Sequence, residues 1–299
     1  MRWQGRDRSS NIEDRRGIRG PVASGGGALL LMRVVPFLLR SKIGRIVLAL
    51  GAAVFLGGKF LGFDVMPLLG LQSSAPQTAQ ARPAAENELA EFVSVVLADT
   101  EITWHEQFRK LGKTYQEPKL VLFTQSVNSA CGRGQAAMGP FYCPADQKVY
   151  IDLSFYNDLK QRHKAPGDFA QAYVVAHEVG HHIQTLLGIS SKVHKAKQKL
   201  PKAQANVLSV KQELQADCFA GIWGYNAKVK RQMLEQGDIE EALTAAAAIG
   251  DDRLQQQATG RIVPESFTHG TSAQRVQWFK KGFTTGDFNA CDTFSAVQI

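Results

Sequence analysis

Two histidines four residues apart, with a glutamate directly after the first, form the part of the chain best suited to chemistry. They are His177, Glu178 and His181, within the run YVVAHEVGHH at 173–182. Residues four apart lie on one face of a helix, so both imidazoles can reach one metal ion from a single rigid element. Glu178 would then lie beside the coordination position left open for water. The spacing therefore predicts a catalytic zinc site on a helix.

A second pair of acidic residues, also four apart, lies downstream in ELQAD at 213–217. Glu213 can be the third metal ligand, and Asp217, one turn on, can accept the ring N–H of a ligand histidine and fix its tautomer. The apolar residues around the pair argue against an ordinary solvated helix face. A metzincin would need glycine and histidine where this chain has Gln184 and Leu187. The arrangement with a glutamate ligand resembles the gluzincins instead.

A further histidine is the candidate for a second catalytic group. His269 lies in a loop before a predicted helix, and gluzincins are similar in placing a histidine there that donates to the oxyanion of the transition state. Arg275 and Tyr225 compete for this role, and a local hydrogen-bonding role for His269 is equally open. His182 faces about 100° away from His181 on the helix, and we interpret it as structural.

Two other segments permit both a functional and a structural interpretation. The segment 139–143, GPFYC, can be a sheet edge that pairs with an extended substrate, or a disulfide-stapled hairpin with no substrate role. Asp251 and Asp252 could suggest calcium, but adjacent acidic residues are more typical of local hydrogen bonding. Both alternatives stay open at this point.

Hydrophobic periodicity predicts the elements that must position these residues. Runs of β-type residues predict strands at 119–124 and 148–155, joined by a Gly-rich connection. Helical spacing predicts helices over 86–111, 168–187, 203–230, 238–259 and 272–283. A sheet early in the chain and helices after it predict an α+β fold. In this fold a small sheet packs on a mainly helical, zincin-type body.

The N-terminal part of the chain has a different character. Residues 1–43 are basic and predict a disordered cytoplasmic tail. The apolar run 46–63, interrupted only by Lys59, has 18 residues and is near the minimum length for a spanning helix, so residues 44–63 predict a transmembrane anchor. A buried core helix, an amphipathic surface segment and a cleaved signal peptide are the alternatives. Residues 64–87 predict a linker, and residues 88–299 form the predicted catalytic domain.

The net charge of +8 is concentrated at the N-terminus. Residues 1–45 carry ten Lys and Arg against three Asp and Glu, which leaves the rest of the chain nearly neutral. The body is therefore not built to follow nucleic-acid phosphates. By the positive-inside rule, the basic tail stays cytoplasmic and the body is exported. This predicts a single-pass protein of the bacterial inner membrane with a periplasmic or extracellular catalytic domain.

The four cysteines form an even set without any CxxC pair, so zinc binding by thiolates is not expected. Of the three possible pairings we favour Cys131–Cys143, which closes a short loop, together with Cys218–Cys291, which closes a long one. Disulfides agree with export. Four reduced, buried cysteines in a cytoplasmic protein are the alternative.

Several motifs in one order resemble a known bacterial family. They are HEVGHHIQ, ELQADCFAG, GPFYCP with VYIDLSF, IGDDRLQ and SFTHGTSAQRVQWF. With the basic tail and the apolar run, they resemble the bacterial family described as "putative neutral zinc metallopeptidase", over roughly residues 88–297 of the body. The resemblance implies a membrane-anchored zinc peptidase and says little about its substrate.

The sequence thus predicts a zinc-dependent endopeptidase that holds one Zn²⁺ ion through His177, His181 and Glu213. Glu178 would act as general base toward the attacking water, and His269 would stabilise the oxyanion. The predicted partners are a peptide or protein substrate and the membrane, without nucleic acid, and the oligomeric state stays open. A zinc-binding scaffold without turnover and an envelope assembly factor are the alternatives. The intact Glu178 argues against a scaffold, which needs no base.

Overall fold

The computed structural model describes residues 1–17, 36, 38–42, 45–46 and 84–295. The chain divides into two compact units, Met1–Ile18 with Arg82–Ile299, and Arg19–Ala81. In the second unit the described residues include a helical hydrogen bond from the Arg45 N–H to the Ser41 carbonyl, 3.1 Å long. All the elements described below belong to the first unit.

A small mixed sheet lies in this unit. The strands are β1 Ile12–Asp14, β2 Lys119–Phe123, β3 Ser126–Ser129, β4 Gly132–Gln135, β5 Phe141–Cys143 and β6 Lys148–Asp152. Four of them form a sheet in the order β1-β2-β6-β5, in which only β5 is antiparallel to its neighbour, while β3 and β4 form a separate hairpin. The central strands β2 and β6 are almost wholly buried, as parallel strands covered on both faces must be.

Helices make up most of the unit. They are α1 Ala84–Lys110, α2 Phe155–Gln161, α3 Asp168–Leu186, α4 Ile189–Lys197, α5 Lys202–Val229, α6 Asp238–Ala248, α7 Asp251–Thr259 and α8 Ser272–Thr285. The main core joins residues of α1, α3, α5, α6 and α8 to the sheet. The two long helices α3 and α5 carry the predicted ligands. The predicted α+β class, with a small sheet and mainly helical content, is confirmed.

Both disulfides have the pairing favoured from the sequence. Cys131 is bonded to Cys143, and Cys218 to Cys291. The first joins the end of the β3–β4 hairpin to the strand β5. The second ties α5, the helix that carries Glu213, to the short 3-10 helix Phe288–Cys291 near the C-terminus.

The predicted helix over 238–259 is wrong in one respect, because the structure has two helices there. α6 ends at Ala248 and α7 begins at Asp251. A Cβ atom at Gly250 would lie only 2.3 Å from the backbone nitrogen of Ser272. The break therefore lets the loop before α8 approach α7 closely. The short helices α2 and α4 were not predicted, and α2 begins within the predicted strand 148–155.

The first seventeen residues differ from the predicted disordered tail. β1 pairs in parallel with β2, from Ile12 opposite Leu120 onward. The Trp3 ring meets Phe92 of α1 edge to face, with the ring centroids 5.4 Å apart. The Ser9 hydroxyl donates to Glu101 of α1 at 2.6 Å. Composition alone suggested disorder because it does not reveal such partners, which lie about a hundred residues away.

The prediction of a single-pass inner-membrane protein is wrong. Throughout the ranges that the structure describes, no helix is long and apolar enough to cross a membrane. Residues 1–17 also pack on the same body as the predicted site, whereas the predicted topology would put a bilayer between them. Of the predicted anchor 44–63, all but residues 45 and 46 lie outside the described residues. So does most of the predicted linker 64–87, inside which α1 already begins.

Candidate metal centre

The helix α3 passes through the interior with almost no exposed face. Its apolar residues from Phe169 to Val179 are nearly all buried, which is the pattern of a helix surrounded by other elements. His177 and Glu178 are themselves only 6% and 8% exposed. The motif is thus held on a rigid, buried element rather than on a surface helix.

Three side chains converge in front of α3. The Nε2 atoms of His177 and His181 lie 3.2 Å and 3.4 Å from the same carboxylate oxygen, Oε2 of Glu213 on α5. One ligand atom from each residue can be chosen so that all three lie within 4.8 Å of one another. The sequence placed these residues on two separate helices, and the structure brings them together.

The outer nitrogen of each histidine is already engaged. Nδ1 of His177 lies 2.8 Å from Oδ1 of Asp217, and Nδ1 of His181 lies 2.9 Å from Oε1 of Gln184. When each Nδ1–H donates to these oxygens, each Nε2 keeps its lone pair for a metal. The site therefore offers two imidazole nitrogens and one carboxylate oxygen and opens onto a cleft that can admit water. This is the donor set of a catalytic zinc site. The residues therefore fit a divalent metal such as zinc.

Gln184 contacts the candidate site, and the sequence did not predict this contact. In the sequence, position 184 attracted attention only because a metzincin would have glycine there. Its side chain is fully buried, and its Nε2 donates to the carbonyl of Gln212 at 2.7 Å. That bond turns the amide oxygen toward His181. A buried amide three residues after a ligand histidine, on the same helix face, was the available signal.

Asp217 is the centre of a buried polar network. It is fully buried and accepts hydrogen bonds from Arg275 through both oxygens, at 2.8 and 2.9 Å, and from the Tyr173 hydroxyl at 2.5 Å. Burial alone would raise the pKa of this carboxyl, but Arg275 and then His177 outweigh burial and lower it to about 2. Asp217 is therefore a carboxylate at neutral pH, and its predicted position behind a ligand histidine is what the structure shows.

Arg275 was a candidate for the oxyanion donor. The structure commits its guanidinium to Asp217, and the residue is 2% exposed. Its helix α8 begins with a capping box, in which the side chains of Thr271 and Gln274 bond each other's backbone N–H groups. This cap fixes the first turn, from which Arg275 reaches Asp217. Arg275 thus balances the buried charge of Asp217.

The two histidines that face Glu213 both have raised pKa values. Burial lowers the pKa of His177, but the charge of Asp217 and the hydrogen bonds to Asp217 and Glu213 outweigh burial and raise it to about 10. The pKa of His181 is also raised, because Glu213 outweighs burial. A metal must displace protons from such groups, so binding at this site should release protons.

A cleft of about 1160 Å³ opens at these side chains. Glu178 lines it together with His177, His181 and Glu213. The segment Gly139–Tyr142 lies along the cleft on the sheet side, and α4 contributes His194 and Lys197 on the helical side. The cleft thus extends beyond the three converging side chains. The segment before and within β5 borders it on one side, and α4 borders it on the other.

His269 lies at this cleft and is also held locally. Its Nδ1 lies 3.1 Å from Oδ1 of Asp251, and the hydrogen bond to Asp251 raises its pKa against the effect of burial. The other oxygen of Asp251 accepts the backbone N–H groups of Thr268, His269 and Gly270, at 2.6, 2.6 and 3.2 Å. The ring is therefore fixed at the edge of the cleft. A role as oxyanion donor and a local hydrogen-bonding role for His269 are compatible.

The remaining candidates have structural surroundings. Asp252 accepts the N–H and the hydroxyl of Ser272, both at 2.8 Å, so hydrogen bonding accounts for this acidic residue. His182 contacts the Tyr142 hydroxyl at 3.0 Å and the Gln116 carbonyl at 2.7 Å, and burial lowers its pKa to about 4. Tyr225 packs against Gly286 and does not line the cleft, which removes it as an oxyanion donor.

Comparison with known proteins agrees with this site. Residues 1–294 match the family described as "Putative neutral zinc metallopeptidase", and the chain belongs to that family. It is 53% identical over 295 residues to "Uncharacterized protein YpfJ" of Escherichia coli strain K12, which covers 98% of this chain and 99% of that protein. It is 46% identical over 195 residues to "Uncharacterized protein Rv2575" of Mycobacterium tuberculosis, covering 62% and 65% of the two chains. No solved structure matches the chain.

Gly180, inside the motif, sets the distance between the two ligand-bearing helices. A Cβ atom there would lie 2.9 Å from the carbonyl oxygen of Ala216 and 3.0 Å from its Cα. We expect Gly180→Ala to push α3 and α5 apart, to lower the free energy of unfolding by about 1–3 kcal/mol and to weaken metal binding. Urea unfolding and titration with a competing chelator measure the two effects.

Gly224→Ala is the matched control on α5. The three atoms nearest to its added Cβ are all side-chain atoms, the closest being Phe283 at 3.1 Å, and Glu213 lies about three turns away on α5. We expect a smaller loss of stability and unchanged metal affinity. Equal metal affinity in the Gly180→Ala and Gly224→Ala variants would contradict the role of Gly180.

Proposed function

We propose that this protein is a zinc-dependent endopeptidase. The observation that carries the proposal is the convergence of His177, His181 and Glu213 at a cleft that Glu178 also lines. The membership of a zinc metallopeptidase family supports the class of reaction. Neither points to a particular substrate, so the proposal is limited to peptide-bond hydrolysis.

In this proposal His177, His181 and Glu213 hold a single zinc ion. Zinc in such a site supplies Lewis acidity, which makes a nearby water more acidic and polarises a substrate carbonyl. Asp217 and Gln184 keep the two imidazoles in the tautomer that presents Nε2. Arg275 keeps Asp217 ionised inside the protein.

Glu178 has the role of proton carrier. As a carboxylate it takes a proton from the attacking water, whose oxygen forms the new bond to the scissile carbonyl carbon. It then gives the proton to the amide nitrogen as the carbon–nitrogen bond breaks, which leaves an amine and a carboxylic acid. Glu178 carries out both proton transfers, because it must return to the carboxylate form within the same turnover.

His269 is the proposed donor to the developing oxyanion. With Nδ1–H donating to Asp251, Nε2 faces no partner in this pair and can donate toward a substrate carbonyl when it also carries a proton. The raised pKa of His269 favours the protonated ring, in which both nitrogens are donors. Because Asp251 also grips the loop backbone, the donor is held in place before the substrate binds.

The strand β5 is the proposed binding edge for an extended peptide. In the described part of the sheet, β5 is an end strand that pairs with β6 on one side. Residues of this strand and of the segment before it line the cleft. An extended substrate can add to such an edge through main-chain hydrogen bonds. The Cys131–Cys143 disulfide braces this edge from the side of the hairpin.

The test measures zinc content and cleavage of a peptide library by the same preparation. We expect about one zinc per chain, loss of cleavage when a chelator removes the metal, and recovery when zinc is returned. Glu240→Gln, an exposed change on α6, should leave both unchanged. Zinc binding without cleavage of any peptide would instead favour a zinc-binding scaffold or an assembly factor. Absence of zinc would contradict both the proposed endopeptidase and the zinc-binding scaffold.

A further inference from the structure

We propose that Gln215 is a positioning residue that acts on the metal ligand His181 through the side-chain amide of Gln184. Gln215 lies on α5 and is 5% exposed. Its Oε1 accepts a hydrogen bond from Nε2 of Gln184 at 3.2 Å, and its own Nε2 donates to the backbone carbonyl of Cys291 at 3.0 Å. The amide of Gln215 thus joins the short 3-10 helix Phe288–Cys291 to the residue that stands behind a metal ligand.

The two ligand histidines differ in the kind of group that faces their outer nitrogen. Nδ1 of His177 faces Asp217, a carboxylate that can accept a hydrogen bond through either oxygen. Nδ1 of His181 faces Gln184, an amide that accepts only through its single oxygen. If that amide were turned over, its NH2 group would face Nδ1, and the ring proton would lie on Nε2, where it blocks a metal. The direction of the Gln184 amide therefore has to be fixed by other groups.

Two oxygen acceptors fix the direction of the Gln184 amide. Its Nε2 donates to the carbonyl of Gln212 at 2.7 Å and to Oε1 of Gln215 at 3.2 Å, so both N–H bonds are used. A turned amide would place its own oxygen against both of these oxygens. Because Gln184 is fully buried, bulk water does not compensate for the lost bonds, and each unpaired polar group costs free energy. Two acceptors therefore hold the amide more firmly than the Gln212 carbonyl alone.

The direction of the Gln215 amide is set in turn by a backbone group. The carbonyl of Cys291 can accept a hydrogen bond but cannot donate one, so it takes the NH2 side of Gln215 and leaves the amide oxygen for Gln184. A backbone carbonyl has no second orientation of donor and acceptor. The order of donors and acceptors therefore starts at Cys291 and passes through two amides to Nδ1 of His181.

The Cys291 carbonyl is itself held against α5. The disulfide joins Cys291 to Cys218, which follows Gln215 by three residues and lies on the same side of the helix. The Phe288 ring stacks on that of Phe219, with the centroids 5.2 Å apart. These contacts keep the 3-10 helix in reach of the Gln215 amide. The place of this segment on α5 thereby contributes to the ring form of His181.

The principal experiment compares Gln215→Met with Gln107→Met. Methionine is similar in length to glutamine but cannot replace its two hydrogen bonds. Gln107 is the matched control, because it is a buried glutamine on α1 that also donates to a backbone carbonyl, that of Gly286. We expect both variants to unfold at a lower temperature. Only Gln215→Met should weaken zinc binding, by about 5-fold in chelator competition, since a direct partner of a ligand contributes about 10–100-fold.

The ring protons of the zinc-loaded chain give a readout that a loss of stability alone would not move. The Nδ1–H groups of His177 and His181 should each give a hydrogen-bonded proton resonance in the NMR spectrum. Gln215→Met should shift the resonance of His181, because its acceptor Gln184 is less firmly held. The resonance of His177, whose acceptor is a carboxylate, should stay in place in the same sample. Gln107→Met should move neither resonance.

Removal of the disulfide between α5 and the 3-10 helix tests the same link from its other end. Cys218→Ser with Cys291→Ser should lower the zinc affinity in the same direction as Gln215→Met. Adding Gln215→Met to this pair should cause little further loss, because both changes interrupt one series of hydrogen bonds. Cys131→Ser with Cys143→Ser, which removes the other disulfide, is the control and should leave the zinc affinity unchanged.

Equal zinc affinity in Gln215→Met and Gln107→Met would overturn the proposal, as would an unmoved His181 resonance in Gln215→Met. If Gln215→Met does not fold, an unchanged zinc affinity after removal of the Cys218–Cys291 disulfide would overturn it instead. The role of Gln215 rests on the metal centre of the proposed function, but these measurements need no cleavage. Equal zinc affinities in a chain that cleaves peptides would therefore overturn only the role of Gln215. Zinc binding without cleavage would contradict only the proposed function.

Discussion

Replacement of Glu178 by Gln is expected to lower kcat for peptide cleavage by about 10²–10⁴-fold while the zinc content is unchanged. Glutamine has nearly the same shape, but its amide cannot take a proton from water. None of the atoms that converge on the metal position belongs to residue 178, so the ligand set stays complete. Steady-state kinetics on a cleaved peptide and metal analysis of the same sample provide the measurement.

The control for this prediction removes a ligand instead of the base. Glu213→Gln should lose zinc and activity together, since its carboxylate oxygen is the point where both Nε2 atoms converge. The two variants therefore separate metal binding from proton transfer. Undiminished turnover in Glu178→Gln would defeat the assignment of the base. Loss of zinc in that variant would mean that Glu178 supports the metal rather than the reaction.

Replacement of Asp217 by Asn is expected to have the largest effect on folding. The buried Arg275 guanidinium then faces a neutral amide, and breaking a buried ion pair on one side costs about 3–5 kcal/mol. The amide oxygen can still accept from Nδ1 of His177, but without negative charge behind the ring we expect zinc affinity to fall about 10–100-fold. Urea unfolding of the metal-free protein and chelator competition measure the two losses.

A double variant separates the cost of the buried charge of Arg275 from the support that Asp217 gives to metal binding. In Asp217→Asn with Arg275→Met, the uncompensated guanidinium is gone, so part of the lost stability should return. The zinc affinity should stay low, because His177 still lacks the carboxylate behind it. If zinc affinity recovered together with stability, Asp217 would act only through folding. If Asp217→Asn alone changed neither quantity, the account of this network would be wrong.

Much of the site followed from local spacing. The HExxH and ExxxD patterns place His177 with His181, and Glu213 with Asp217, on one face of a helix each, because the helical repeat alone decides which residues share a face. Their burial could be expected from the apolar residues around them. The favoured disulfide pairing also agrees with the structure. These predictions needed no knowledge of how the helices pack.

Other features depended on partners far away in the sequence. The Arg275 guanidinium is paired with Asp217 in the interior, and the backbone of Ser272 lies close to Gly250, where the predicted helix breaks. Residues 1–17 looked disordered by composition, yet β1 pairs with β2, and Trp3 and Ser9 contact α1. Composition does not report long-range pairing of this kind.

The sequence by itself therefore determined the candidate reacting groups, the candidate metal ligands and the α+β class, since each rests on residue type and on spacings of a few residues. Only the tertiary structure decided which side chains stand behind the ligands, as Gln184 does for His181, and on which body the N-terminus lies. The physical reason is that a buried polar group must find a partner, and where that partner lies along the chain is set by packing rather than by local periodicity.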